Sequence, residues 1–182
     1  VLSNDAPEVF PLGETIVTWT ATDYSGNTVS ITQLITVVDT TIPLVLVQDI
    51  VLEATTANGV ETEISLPDVD DLQKVTFTND APEVFPLGET IVTWTATDQS
   101  GNTASTTQLI TVVDTTSPTI TIPENVIFEA TGLITNIDDL GDLVFDDISE
   151  EVSITNDAPE VFPLGETMVT WLVVDNHGNT SN

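Results

Sequence analysis

Arginine and cysteine are absent from the 182 residues, and lysine and histidine occur once each, as Lys74 and His177. Against 30 Asp and Glu this leaves a formal net charge of −29. A chain with no basic patch does not neutralise phosphates, which excludes nucleic-acid binding and docking on anionic membranes. Without cysteine there is no disulfide framework, no thiolate nucleophile and no Cys-based zinc or iron–sulfur site. No run approaches the ~18 consecutive apolar residues of a membrane span, and Val1-Leu2-Ser3-Asn4 does not read as a signal peptide. Disorder is a poor description as well. Hydrophobic residues make up 40% of the chain and the mean hydropathy is +0.19, more apolar than acidic disordered sequences allow.

The charge implies surroundings. Uncompensated carboxylates repel one another in a compact state. High ionic strength shortens the screening length to roughly 3–4 Å, and divalent cations neutralise carboxylates locally. A salty, calcium-containing medium outside a cell is the expectation.

What the chain has in abundance is repetition. Residues 4–41 recur at 79–116 with three changes: Tyr24 becomes Gln99, Val29 becomes Ala104 and Ile31 becomes Thr106. The opening sixteen of them return at 156–171, with Met168 in place of Ile16. Trp19, Trp94 and Trp171 mark a period of 75 to 77 residues, the size of a small domain and too long for one unit of a solenoid. Within a repeat the pattern is β. Val17, Trp19 and Ala21 alternate with threonines over 15–22; Asp23-Tyr24-Ser25-Gly26-Asn27 is a turn, and a second strand runs from Ser30 to Val38. Pro11-Leu12-Gly13-Glu14 is another turn. No segment sustains a 3.6-residue period. Short strands with one core tryptophan per repeat predict an all-β chain of tandem immunoglobulin-like antiparallel sandwiches joined by short linkers.

The run Phe10-Pro11-Leu12-Gly13-Glu14-Thr15-Ile16-Val17-Thr18-Trp19-Thr20-Ala21-Thr22-Asp23, then Ser25-Gly26-Asn27, then a strand ending Ile35-Thr36-Val37-Val38-Asp39-Thr40-Thr41 before Pro43, resembles the HYR (hyalin repeat) domain. The resemblance implies immunoglobulin-like extracellular modules, often in long tandem arrays on adhesive or matrix proteins. Many such domains carry a cysteine pair. Its absence here leaves ions or neighbouring modules to supply that stability. Linkers at Asp39–Pro43 and Asp114–Pro118 divide the chain into 1–38, the C-terminal part of a module; 39–113, a complete module; and 114–182, a module lacking its last strand. A raw sheet edge in an incomplete sandwich invites pairing. A longer repeated chain and strand donation from another copy both answer it.

The candidate chemistry is metal binding. In an antiparallel module the linker, the hairpin turn before the last strand and the acidic stretch Asp68-Val69-Asp70-Asp71, taken as a loop, all fall at one end. The Asn-Asp loop of the preceding repeat should face them. Hard oxygen donors then converge at each linker: Asp5, Glu8, Asp39, Asp68, Asp70, Asp71, Asp98 and Asn102 at the first, Asp80, Glu83, Asp114, Asp146, Asp147, Asp175 and Asn179 at the second. Ca²⁺ accepts six to eight such ligands. Each part has a plainer reading. Asp-x-Ser-Gly-Asn is an ordinary hairpin turn as well as half a calcium loop, and Asp68 to Asp71 suits a solvated loop.

Other residues carry less. His177 reads as a solvent-exposed turn residue, Asn179-Thr180-Ser181 is one glycosylation sequon, and the tryptophans read as core. Carboxylate pairs are unavoidable among 30 acids, so no catalytic role is expected. Met168, Leu172 and Val174 give the third repeat an apolar outer face, where Leu172 and Val174 stand at the positions of Thr20 and Thr22 in the first, and this marks a contact surface. The expected function is a structural and adhesive segment of an extracellular filament, rod or surface adhesin. Ca²⁺ stiffens its junctions, and its partners are neighbouring repeats or copies of itself. An accessory carbohydrate-binding or spacer module of an exported enzyme is the alternative.

Overall fold

The computed structural model describes residues 1–149 and 151–182, and it is all-β, with no helix among the described residues. In the first repeat β1 (Leu2–Asn4), β2 (Gly13–Thr22) and β3 (Thr28–Val37) form one antiparallel sheet in the order β1-β2-β3. The β2–β3 hairpin keeps register from Gly13 opposite Val37 to Thr22 opposite Thr28. Asp23 closes it, its Oδ1 accepting the Ser25 and Asn27 backbone N–H groups at 2.9 Å each.

The second repeat contains β4 (Leu44–Leu46), β5 (Ile50–Glu53), β6 (Val60–Glu61), β7 (Asp68–Asp70), β8 (Thr76–Asn79), β9 (Val84–Phe85), β10 (Gly88–Thr97) and β11 (Thr103–Val113). Four of these make a sheet in the order β5-β11-β10-β8, and β4-β7 and β6-β9 form short ribbons. β5 runs parallel to β11, with Ile50 opposite Ile110; the other named pairings are antiparallel. The third repeat has β12 (Thr119–Thr121), β13 (Ile134–Thr135), β14 (Val144–Asp146), β15 (Val152–Asn156), β16 (Phe162–Pro163), β17 (Trp171–Asp175) and β18 (Thr180–Ser181), paired as β12-β14, β13-β16 and β15-β17-β18.

The core follows from the two-residue period of a strand, which sends alternate side chains to one face. On β10 those are Val92, Trp94 and Ala96, on β11 Ile110 and Val112; all are buried, as is Phe85. Trp94 meets Phe77 edge to face, ring centres 6.2 Å apart. Trp19 and Trp171 are only half-buried, because their repeats assemble fewer strands around them. By Cα proximity the chain forms two compact units, Val1–Leu46 with Leu66–Asn79 and Trp94–Thr106, and Val47–Ser65 with Asp80–Thr93 and Thr107–Asn182. Each unit contains one linker whole.

One glycine is indispensable to the core ribbon. Gly59 has φ +114°, and a Cβ there would sit 1.9 Å from the Phe85 carbonyl oxygen. Gly59→Ala therefore combines left-handed strain with a backbone collision against a buried strand. It should cost about 3 kcal/mol or more, read as a lowered urea midpoint; an unchanged midpoint contradicts the close approach.

Candidate metal centres at the two linkers

The alternation that builds the core also delivers acids to the linkers. The inward series Val92, Trp94, Ala96 on β10 continues to Asp98, and Ile110, Val112 on β11 continues to Asp114. Val173 on β17 likewise leads to Asp175. Asp98, Asp114 and Asp175 are each 6% exposed, and Asp39, two residues beyond Val37, is 8% exposed. Buried carboxylates at the inner ends of strands are costly unless something compensates them.

At the first linker, carboxylate oxygens of Asp39, Asp71 and Asp98 lie within 4.8 Å of one another. Asp39 accepts the Thr41 N–H at 2.9 Å on Oδ1 and the Gln73 side-chain amide at 2.8 Å on Oδ2. These bonds, the backbone one foremost, hold its carboxyl below the ordinary range. Asp98 accepts the Asn102 backbone N–H on Oδ1 at 2.8 Å and its Nδ2 on Oδ2 at 2.7 Å. Asn102 Nδ2 also donates to the Asp39 carbonyl at 3.1 Å, which latches the hairpin turn to the linker. Asp71 Oδ1 accepts the Gln73 N–H at 2.7 Å. Its Oδ2 is sealed from solvent and has no hydrogen-bond partner. Lys74 is exposed, and among the described residues the one side-chain ion pair lies at the other linker.

The second linker repeats this plan with two substitutions. Asp114 Oδ1 accepts the Thr116 N–H at 3.1 Å, and Oδ2 accepts the Ser149 hydroxyl at 3.0 Å. Asp175 accepts Asn179 N–H and Nδ2 at 2.8 Å each, and Asn179 Nδ2 donates to the Asp114 carbonyl at 3.1 Å. Burial alone would raise the Asp175 carboxyl, but the bonds from Asn179 and from the His177 N–H outweigh it and hold it low. Asp147 Oδ1 accepts the Ser149 N–H at 2.7 Å, and its Oδ2, like that of Asp71, is buried without a partner. Ser149 thus stands in for Gln73, and His177 for Ser100. Glu53 grips the linker from the preceding module, accepting the Thr115 N–H at 2.7 Å and the Thr115 and Thr116 hydroxyls at 2.9 and 3.1 Å.

The structure brings together Asp39, Asp71, Asp98 and Asn102 at the first linker and Asp114, Asp175 and Asn179 at the second, with Asp147 one hydrogen-bonded residue away. It does not gather the rest. Asp68 and Asp70 belong to strand β7, opposite Leu46 and Leu44, rather than to a loop, so alternation turns both away from the side that Val69 and Asp71 share. Asp146 ends β14 in the same way and is exposed, whereas Asp147 is half-buried. Asp5 and Asp80 each accept a cross-hairpin backbone N–H, from Thr18 and Thr93, at 2.6 Å, and Glu8 and Glu83 are exposed. Met168 is 91% and Leu172 40% exposed, and Val174 is half-buried.

His177 is the exposed turn residue expected, but it is not free. Its Nδ1 lies 3.1 Å from Asp114 Oδ2 and 3.2 Å from Ser149 Oγ. The signal was present as the one departure from Ser25 and Ser100 at that position. Gln73, Ser149 and Glu53 were not singled out either; the shared Asp-x-Gln and Asp-x-Ser spacing after the acidic pair could have found the first two.

A family model for the HYR domain matches residues 38–112. This segment belongs to the HYR domain family. Hyalin of Strongylocentrotus purpuratus is 37% identical over 197 aligned residues, covering 99% of this chain and 16% of that protein. Hyalin of Lytechinus variegatus is 34% identical over 194, covering 99% and 37%. The chain therefore spans well under half the length of either relative. A solved structure described as a protocadherin gammaB7 EC3-6 cis-dimer aligns with a TM-score of 0.38 at 15% identity, covering all of this chain and 66% of that one. The HYR segment runs from the residue before Asp39 to the β11 residues just before Asp114, so both linker clusters form where it meets its neighbours in sequence.

Proposed function

We propose that this chain is a structural and adhesive segment of an extracellular filament, rod or surface adhesin, in which Ca²⁺ at each linker ties adjacent HYR-type modules together. The observation that carries the reading is Asp71 Oδ2: a buried carboxylate oxygen without a donor, inside a cluster of three acids with no base. Nearly all buried polar atoms are satisfied, and an orphan facing two other anions fits a cation better than it fits water. Oxygens bound to one Ca²⁺ at 2.3–2.6 Å lie up to about 5 Å apart, which the 4.8 Å spread meets. Asp39, Asp71 and Asp98 would hold the ion at the first linker, and Asp114 and Asp175, grouped with His177, at the second. The same recurrence at both linkers, the similarity to the two hyalins and the array-like sequence support a mechanical role. Its partners are the adjoining repeats and further copies of the chain. The reading assigns no catalysis.

Amide hydrogen exchange tests the mechanical part. Thr41 and Thr116 donate their N–H groups to Asp39 and Asp114, so linker stiffening should slow their exchange in Ca²⁺ relative to chelator. Equal exchange in both conditions would count against calcium as the stiffening agent.

A further inference from the structure

The two linker sites are not chemically equal. Where the first has Ser100, the second has His177, and an imidazole nitrogen joins a set otherwise made of oxygen. Nδ1 stands 3.1 Å from Asp114 Oδ2, a carboxylate oxygen 6% exposed at residue level and already bonded to Ser149. Two lone pairs at that distance repel unless a proton or a metal ion lies between them. Donors at 2.0–2.1 Å from a shared zinc ion are about 3.0–3.4 Å apart, so the observed pair already has the separation of two ligands of one such ion. A third donor is at hand. A carboxylate oxygen of Asp175, itself 6% exposed, lies within 4.8 Å of the His177 and Asp114 donor atoms. Asp147 Oδ2, buried and unpartnered, is one residue removed, its other oxygen held by the Ser149 backbone while the Ser149 hydroxyl holds Asp114. Nor is the imidazole walled off. Asp114, Ser149 and His177 line a recess of about 330 Å³ together with Asn58, Leu87 and Asn176.

We infer that the second linker binds a borderline transition-metal dication, of the Zn²⁺ class, through His177 Nδ1 and Asp114, while the first linker is restricted to hard cations. Imidazole suits zinc, copper and nickel, whereas calcium is held by oxygen. The inference rests on the reading of the linkers as cation sites and adds selectivity to it: one array then carries two kinds of joint, distinguished by one residue in a turn.

His177 is the only histidine and there is no cysteine, so a single probe suffices. The chain is titrated with Zn²⁺ in the presence of Ca²⁺, with the imidazole followed by ¹H–¹⁵N correlation and the heat by calorimetry. The expected result is one Zn²⁺ per chain with a stoichiometric shift of the Nδ1 resonance. His177→Ser, which copies the first linker's own residue, should lose about tenfold or more in Zn²⁺ affinity. Ser100→His should create a second Zn²⁺ event. Imidazole resonances unmoved by Zn²⁺ in the wild-type chain, or Zn²⁺ affinity undiminished in His177→Ser, overturns the inference. A parallel Ca²⁺ titration of the wild type separates the two readings. Ca²⁺ uptake with Zn²⁺ indifferent to His177 defeats only this one. Zn²⁺ capture by the imidazole without any Ca²⁺ uptake supports it and defeats the calcium reading.

Discussion

Calcium raises the melting temperature of this chain by about 5–10 °C for each linker it fills. The figure follows from mass action: an ion present at one hundred times its dissociation constant stabilises the folded state by about 2.7 kcal/mol per site. For a chain of this size each kcal/mol moves the midpoint by about 2–4 °C. The net charge of −29 supplies the control. Sodium chloride screens repulsion everywhere and should raise the midpoint gradually without saturating. Calcium should saturate, and chelator should reverse it. A calcium curve that matches sodium chloride at equal ionic strength would reduce the linkers to ordinary acidic surface.

Asp71→Asn is expected to have opposite effects in the two conditions. The amide is nearly the same size and retains an oxygen for the Gln73 N–H, now 2.7 Å from Oδ1, so the local turn survives. It removes one of three negative charges gathered within 4.8 Å. In chelator, where those charges only repel, the variant should melt above the wild type. In calcium, where Asp71 is a ligand, the first site should weaken by about tenfold or more, because affinity follows the number of charged ligands. The ranking of the two melting curves then reverses. A variant less stable than wild type in both conditions would show Asp71 to be a structural acceptor with no ion to hold.

Much of this was readable from the sequence, and the portion that was not has a common cause. The alternation Val92-x-Trp94-x-Ala96 marks a half-buried strand on sight, because period two is a local property. The same alternation, extended one step, reaches Asp98, and Ile110-x-Val112 reaches Asp114, so the burial of those acids was implicit in the pattern. Asp68-Val69-Asp70 resembled a loop because aspartate has poor β propensity. Its strand exists through pairing with Leu44–Leu46, a partner that no local window shows. Asp5 and Asp80 looked free to ligate. Their cross-hairpin bonds to Thr18 and Thr93 become visible only once the hairpin register is known. His177 reaches Asp114 across the whole third repeat, and only folding discloses that. Local periodicity thus reports elements and faces. Which acid meets which depends on tertiary pairing.

Equilibrium titration of the metal-stripped chain with Ca²⁺, read by calorimetry, is the most direct test. The expected outcome is two saturable binding events per chain, with only the second linker's event remaining at full affinity in Asp71→Asn. No saturable uptake, or two undiminished events in that variant, would contradict the assignment of the linkers as calcium sites.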